Sequence, residues 1–205
     1  IQSINGSAGD GDTIEIGEGQ NVVFGGFGRD TITVRPNNGE TTGTTNTDTD
    51  NTDPAPPRAR VVGDNGTLTL DALGYLLSIS STDETVGDRD TITLQSGENT
   101  VIGGRGGDII QAVQGVNTVL SDSGSANFTS GVLTLITSFE SEETDSGSTT
   151  DDLAESSDNV GDDETEEVTS NDTITLEGGT NTVITGLGTD TVTVGAGTNV
   201  ILGDE

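Results

Sequence analysis

Aspartate returns at an interval of 18 residues in three stretches of this chain, from Asp12 to Asp30, from Asp90 to Asp108 and from Asp172 to Asp190. Glycines gather just ahead of the later member of each pair: Gly25, Gly26 and Gly28; Gly103, Gly104 and Gly106; Gly186 and Gly188. A carboxylate beside a glycine-rich turn is a hard-oxygen donor set. Glycine admits positive φ, so turn carbonyls can converge next to the carboxylate on a cation such as calcium. Asp10, Asp88 and Asp83 lie near enough in sequence to act as substitute ligands. Asp64, Asp122 and Asp204 occupy the second position of Gly-Asp-type turns, where they can close such a column. Asp12, Asp90 and Asp172 sit in turns that lack the full Gly-Gly-x-Gly set, which weakens the case for a site at each. The plain alternative is that all of these are ordinary turns between strands.

The composition asks for a cation. There are 36 acids against 6 bases, all of them arginine, for a formal charge of −30. Such a field repels nucleic acid and anionic membranes. Low hydrophobicity with high net charge normally means disorder; a strict periodicity argues otherwise, provided something neutralises the acids. Calcium suits carboxylate and carbonyl oxygens. The chain has no Cys and no His, which removes disulfides, zinc sites of the usual kinds and the common catalytic triads. Nothing in it looks catalytic, because the carboxylates lie in turns with no apolar pocket beside them. No apolar run approaches about 18 residues, so no membrane insertion is expected. No signal peptide is recognisable, and an opening at Ile1 inside a repeat reads as a piece of a longer or processed protein.

One apolar position recurs every 9 residues: Ile14, Val23, Ile32; Ile92, Val101, Ile110, Val119; Ile174, Val183, Val192, Ile201. A fixed period of this kind marks a solenoid. Strand alternation sends these residues inward, joined by Ile16, Val34, Leu94, Leu176 and Val194, with Ala112 as a gap. On the edge opposite the aspartates the corresponding residues are Asn21, Asn99, Asn117, Asn181 and Asn199. They predict a side-chain amide ladder that needs no metal. One outward face carries the Thr pairs 31/33, 91/93, 173/175 and 191/193. The other carries Phe24, Ile102, Leu120, Ile184 and Leu202. An aliphatic column of that kind is not expected to stay bare. The segments Thr67–Leu70 with Tyr75–Ser80, and Ala126–Thr129 with Val132–Phe139, read as β-hairpins. Their Leu68, Leu70, Leu133 and Leu135, or else a neighbouring chain, are the expected cover.

The chain divides into three modules. Residues 1–66 form the first repeat module, with an insertion at 36–57; 67–124 hold a hairpin and the second module; 125–205 hold a hairpin and the third, with an acidic insertion at 141–170. Both insertions read as linkers by composition. Ile1–Ile4 resembles Leu76–Ile79, and Glu205 stands where a hairpin strand would begin. The two ends therefore read as halves of one module, either trimmed or completed end to end by neighbouring chains.

Gly25–Thr33 and Gly103–Gln111 match GGxGxDxUx at every fixed position, and Thr185–Thr193 matches with Thr185 in place of the first glycine. The chain thus resembles the RTX (hemolysin-type) calcium-binding repeat family. The resemblance implies a parallel β-roll, or β-solenoid, of coils built from two nonapeptides, here with hairpin excursions. It implies Ca2+ held by turn carbonyls and the side chains of Asp30, Asp108 and Asp190. It implies a secreted protein at the cell surface. The expected function is a structural segment of an extracellular filament, adhesin stalk or surface layer, folding and self-associating on calcium. The alternative is the calcium-triggered secretion module of a toxin or hydrolase; a remote one is an ice-binding solenoid, from the Thr arrays.

Overall fold

A computed structural model describes residues 9–17, 19–35, 58–72, 75–82, 87–130, 132–139 and 170–203. The described residues form strands and turns only. In chain order these are β1 (Thr13–Ile16), β2 (Gln20–Phe24), β3 (Thr31–Val34), β4 (Arg58–Val62), β5 (Gly66–Leu70), β6 (Leu76–Ser81) and β7 (Thr91–Leu94). They continue as β8 (Glu98–Ile102), β9 (Ile109–Ala112), β10 (Val116–Leu120), β11 (Gly124–Thr129), β12 (Val132–Ser138), β13 (Thr173–Ile184) and β14 (Thr191–Leu202). Four of them, β5, β6, β11 and β12, are the two expected hairpins. The rest wind into a parallel β-roll.

The roll is a stack of coils, each a strand on the aspartate side followed by one on the asparagine side: β1–β2, β3–β4, β7–β8, β9–β10, then β13 and β14, each of which runs round a whole coil. Pairing is parallel and in the register that the period demands. Thr31 lies between Thr13 and Thr91, Ile109 between Thr91 and Thr173, and Thr191 follows Thr173. Ile32, Ile92, Ile110, Ile174, Val61, Val101, Val119 and Val183 stack into one core, with Val34, Leu94 and Leu176 beside them and Ala112 in the narrow place. All eight of the first group are fully buried. A one-residue slip would turn this whole column outward, so register and burial enforce each other.

On the other edge the amide ladder forms as expected. The Nδ2 of Asn99 donates to Asn117 Oδ1 at 2.8 Å, that of Asn117 to Asn181 at 2.8 Å, and that of Asn181 to Asn199 at 2.7 Å. Ala59 interrupts the column between Asn21 and Asn99, leaving a gap of about 10 Å³ that both asparagines line.

The two hairpins do more than fold back on themselves. β6 pairs antiparallel with β11, so both join into one four-stranded sheet in the order β12-β11-β6-β5. This sheet covers the outward aliphatic column: Val62, Ile102 and Leu120 pack with Ile79, Ala126 and Phe128, and Phe24, Ile184, Leu133 and Ile136 adjoin them. Arg60 pins the cover. Its guanidinium lies 5.3 Å from the Phe128 ring centroid and bonds the Glu98 carbonyl at 2.9 Å and Glu98 Oε1 at 3.3 Å.

Two of the residues expected to cover the column do not. Leu70 and Leu135 are 43% and 56% exposed. Leu135 pairs with Asn127, whereas its neighbour Ile136 pairs with Ala126 on the buried side. The pairing of β5 with β6 shifts at Thr69/Leu70, ahead of Leu70. Leu202, at the end of the column, is 60% exposed.

Ile79 is fully buried where the two hairpins meet the roll. Ile79→Ala should lower unfolding free energy in calcium by about 2–5 kcal/mol, read by urea denaturation. Asn117→Ala strands the Asn99 donor and the Asn181 acceptor, and should cost about 2–4 kcal/mol, read by urea denaturation in saturating calcium.

Candidate metal centre

The aspartate edge is built by the same stacking that builds the core. Each strand β1, β3, β7, β9, β13 and β14 is preceded by one aspartate, so in-register pairing places Asp12, Asp30, Asp90, Asp108, Asp172 and Asp190 in a single column. Each backbone N–H donates to the carboxylate of the next coil. Asp12 N bonds Asp30 Oδ1 at 2.6 Å, Asp30 N bonds Asp90 Oδ1 at 2.7 Å, and Asp90 N bonds Asp108 Oδ1 at 2.8 Å. Asp108 N then bonds Asp172 Oδ1 at 2.6 Å, and Asp172 N bonds Asp190 Oδ1 at 2.9 Å.

The other oxygen of each carboxylate is left over. Oδ2 of Asp30, Asp90, Asp108, Asp172 and Asp190 is buried with no hydrogen-bond partner. A buried carboxylate oxygen without a donor is costly, and a row of them calls for a missing cation. The surrounding atoms are of the right kind. At Gly25 a side chain would collide with Asp30 Oδ2 and the Gly63 carbonyl; at Gly63, with Asp90 Oδ2 and the Gly103 carbonyl; at Gly103, with Asp108 Oδ2 and the Ser121 carbonyl. Each cradle thus presents one carboxylate oxygen and a peptide carbonyl from the next coil. These are hard donors of the sort calcium takes, and the residues fit that ion. Among the described residues no three acidic side chains group as an all-carboxylate site; here carbonyls stand beside each carboxylate.

The column corrects one expectation. Asp90 and Asp172 are equivalent to Asp30 and Asp108, although no contiguous Gly-Gly-x-Gly precedes them in sequence. Their turns are interrupted ones: Gly63 occupies the Gly25 position of the Asp90 turn, and Ser121 that of the Asp172 turn, with a hairpin inserted in between. The signal was legible in Val61-Val62-Gly63, which repeats Val23-Phe24-Gly25. Asp64 and Asp122 stand at the second turn position and reach the following turns. The Arg105 N–H donates to Asp64 Oδ2 at 2.6 Å and the Leu187 N–H to Asp122 Oδ2 at 2.5 Å. Asp64 Oδ1 is buried without a partner.

The remaining expected residues lie at the rim. Gly28, Gly106 and Gly188 have positive φ (103°, 122° and 108°) and press against the backbones of Asp10, Asp88 and Ser170 in the coil before. Gly186, φ 74°, lies under the Asp122 carboxylate. Asp10, Asp12 and Asp88 are exposed. Asp83 and Asp204 lie outside the described residues.

Without a cation the buried acids Asp30, Asp64, Asp90, Asp108 and Asp172 resist ionisation. Burial, above all, pushes Asp90 and Asp172 up to about 8 and Asp64 up to about 7, with neighbouring aspartates adding to it. Burial raises Asp30 likewise and Asp108 well above the usual range. Each folded-state value lies above the unfolded one of 3.8, so between those limits the metal-free folded chain binds more protons than the unfolded chain. Metal-free stability should therefore fall as pH rises from about 4 to about 8. Calcium needs the carboxylate form, so its apparent affinity should rise over the same interval with proton release. Urea unfolding in chelator and calorimetry in buffers of differing ionisation enthalpy check both signs. Asp108→Asn keeps an acceptor and removes the charge. It should stabilise the metal-free roll at pH 7 yet weaken calcium binding about tenfold or more, read from the midpoint of a calcium titration.

A family model for the RTX calcium-binding nonapeptide repeat matches the chain in 4 copies, over residues 3–32, 86–125 and 169–192. No curated protein and no solved structure matches it. The matched segments hold Asp12 and Asp30, Asp90 and Asp108, and Asp172 and Asp190, the six members of the column. Through these segments, which cover just under half of it, the chain carries RTX calcium-binding nonapeptide repeats and is a calcium-binding repeat segment.

Proposed function

We propose that this chain is a structural segment of an extracellular filament, adhesin stalk or surface layer, folded by calcium and without catalytic activity of its own. The row of five orphaned Oδ2 atoms carries the reading. Its carboxylates are separated by about one strand spacing, 4.8 Å, where full charges repel one another unless a cation lies between them. Asp30, Asp90, Asp108, Asp172 and Asp190 bind the ions, with the carbonyls of Gly63, Gly103 and Ser121. Asp64 and Asp122 brace the neighbouring turns. RTX repeats are typical of secreted proteins. Extracellular modules bind calcium with dissociation constants of about 10⁻⁴ to 10⁻³ M, so such a chain stays unfolded at cytosolic calcium and folds outside. The elongated stack, with a thin aliphatic core, suits a spacer better than a pocket-bearing enzyme.

Circular dichroism during a calcium titration after chelation tests this. A cooperative rise in β signal near about 10⁻⁴ to 10⁻³ M calcium is expected, with no such rise in magnesium at equal concentration. A β signal already complete in chelator at pH 7.5 would reduce the aspartate column to ordinary turns.

A further inference from the structure

Asp64 does more than brace a turn. We propose that its Oδ1 joins Asp90 Oδ2 on one calcium ion at the root of the first hairpin, making this the tightest site of the column, the first to fill and the one that closes that hairpin. This rests on the calcium reading above and deepens it.

Asp64 stands where the repeat pattern has a glycine. Gly25-Gly26, Gly103-Gly104 and Thr185-Gly186 open their turns with glycine in second place, whereas Gly63-Asp64 opens the interrupted turn with an acid. The position lies outside the residues that the family model matches, so this acid is not one of the regular ligands of the repeat.

The residue is 2% exposed, and its carboxylate is wedged between two turns. A side chain at Gly87, in the second half of its own turn, would run into it; so would one at Gly104, in the turn of the next coil. Oδ2 accepts the Arg105 N–H at 2.6 Å. Oδ1 is shut in without a donor. Bracing therefore uses one oxygen and leaves the other over. An amide would accept the same N–H without burying a charge.

The near neighbour is Asp90. Asp64 directly follows Gly63, which adjoins Asp90 Oδ2 and the Gly103 carbonyl. Among the acids whose charge bears on Asp90, Asp64 comes first, ahead of Asp30. Two buried carboxylate oxygens without donors and a peptide carbonyl thus gather at this turn, whereas the cradles at Gly25 and Gly103 each present a single carboxylate oxygen. Calcium affinity rises with the number of charged ligands, and the ion also relieves the repulsion between the two acids. Asp122 takes the same place at the second hairpin, but the buried oxygen without a partner is found at Asp64 and not there.

The hairpin closes at this point. The Thr82 N–H bonds the Asn65 carbonyl at 2.8 Å, one residue beyond Asp64, and Gly87 on the returning chain touches the Asp64 carboxylate. An ion on Asp64 and Asp90 holds both chain ends of the hairpin. Order passes on from there, because the Ser81 hydroxyl accepts the Gly124 N–H at 2.8 Å and so ties β6 to the second hairpin.

The test is isothermal titration calorimetry of calcium into the chelator-stripped full chain, with hydrogen exchange of β5 and β6 followed at the same ion ratios. One ion per chain should bind about tenfold or more tighter than the rest, and exchange in β5 and β6 should slow with that ion. Asp64→Asn keeps an acceptor for Arg105, and Asp64→Gly installs the residue of the regular turns. Both should lose the tight ion, keep the weaker ones and reach the wild-type circular dichroism in saturating calcium. A tight ion that survives in Asp64→Asn overturns the proposal and leaves Asp64 a brace alone. A wild-type chain with one uniform class of ions overturns it too, and leaves the calcium reading intact. A chain that binds no calcium overturns both.

Discussion

Strand pairing fixes how far apart the aspartates stand, and the fold depends on resolving what that spacing does to their charges. Backbone hydrogen bonding sets successive coils about 4.8 Å apart, and the carboxylates inherit that interval because each Oδ1 is tied to the main chain of its neighbour. At such a distance two full charges oppose each other by roughly 3 kcal/mol even at an effective dielectric near 20. Five buried oxygens with no donor cannot relax away from the problem, since their partners are used up. Only protons or cations remove it, and the peptide carbonyls beside each cradle favour cations.

The opposite edge solves the same geometric problem without charge. A primary amide carries both donor and acceptor, so Asn99, Asn117, Asn181 and Asn199 satisfy one another down the stack. The two edges therefore answer to different conditions: one to calcium and pH, the other to neither. The hairpins belong to the responsive edge. They leave the roll inside the turns that carry Asp64 and Asp122, and each of these acids holds the turn of the next coil. Ions in the column and the order of the four-stranded cover are thereby joined through two carboxylates.

Extra sequence enters this fold only where it does no harm to register. The insertion between β3 and β4 leaves at the asparagine edge, and those that follow β4 and β10 leave at the aspartate edge. Length added inside a strand would invert every side chain beyond it, whereas length added in a turn is limited only by loop closure. The interrupted turns at Gly63 and Ser121 show how far this goes. A hairpin separates each half-turn from its aspartate, and the stacked geometry still matches that of the uninterrupted Gly103–Asp108 turn.

By itself the sequence determined the roll, its coil length, the inward column and the two chemically different edges, because those follow from a period and from which residue type occupies each phase. Asp30 and Asp108 were legible as candidate ligands from contiguous nonapeptides. Asp90 and Asp172 were weaker candidates, because the glycine and serine completing their turns are separated from them by hairpins, and only folding brings the halves together. The hairpins themselves were legible; that β6 would pair with β11 and fuse both into one sheet was not, since local pattern says nothing about which edges meet. The same holds for Leu135 and Ile136. Alternation says that they face opposite ways, and only the pairing of β11 with β12 decided which one faces the roll.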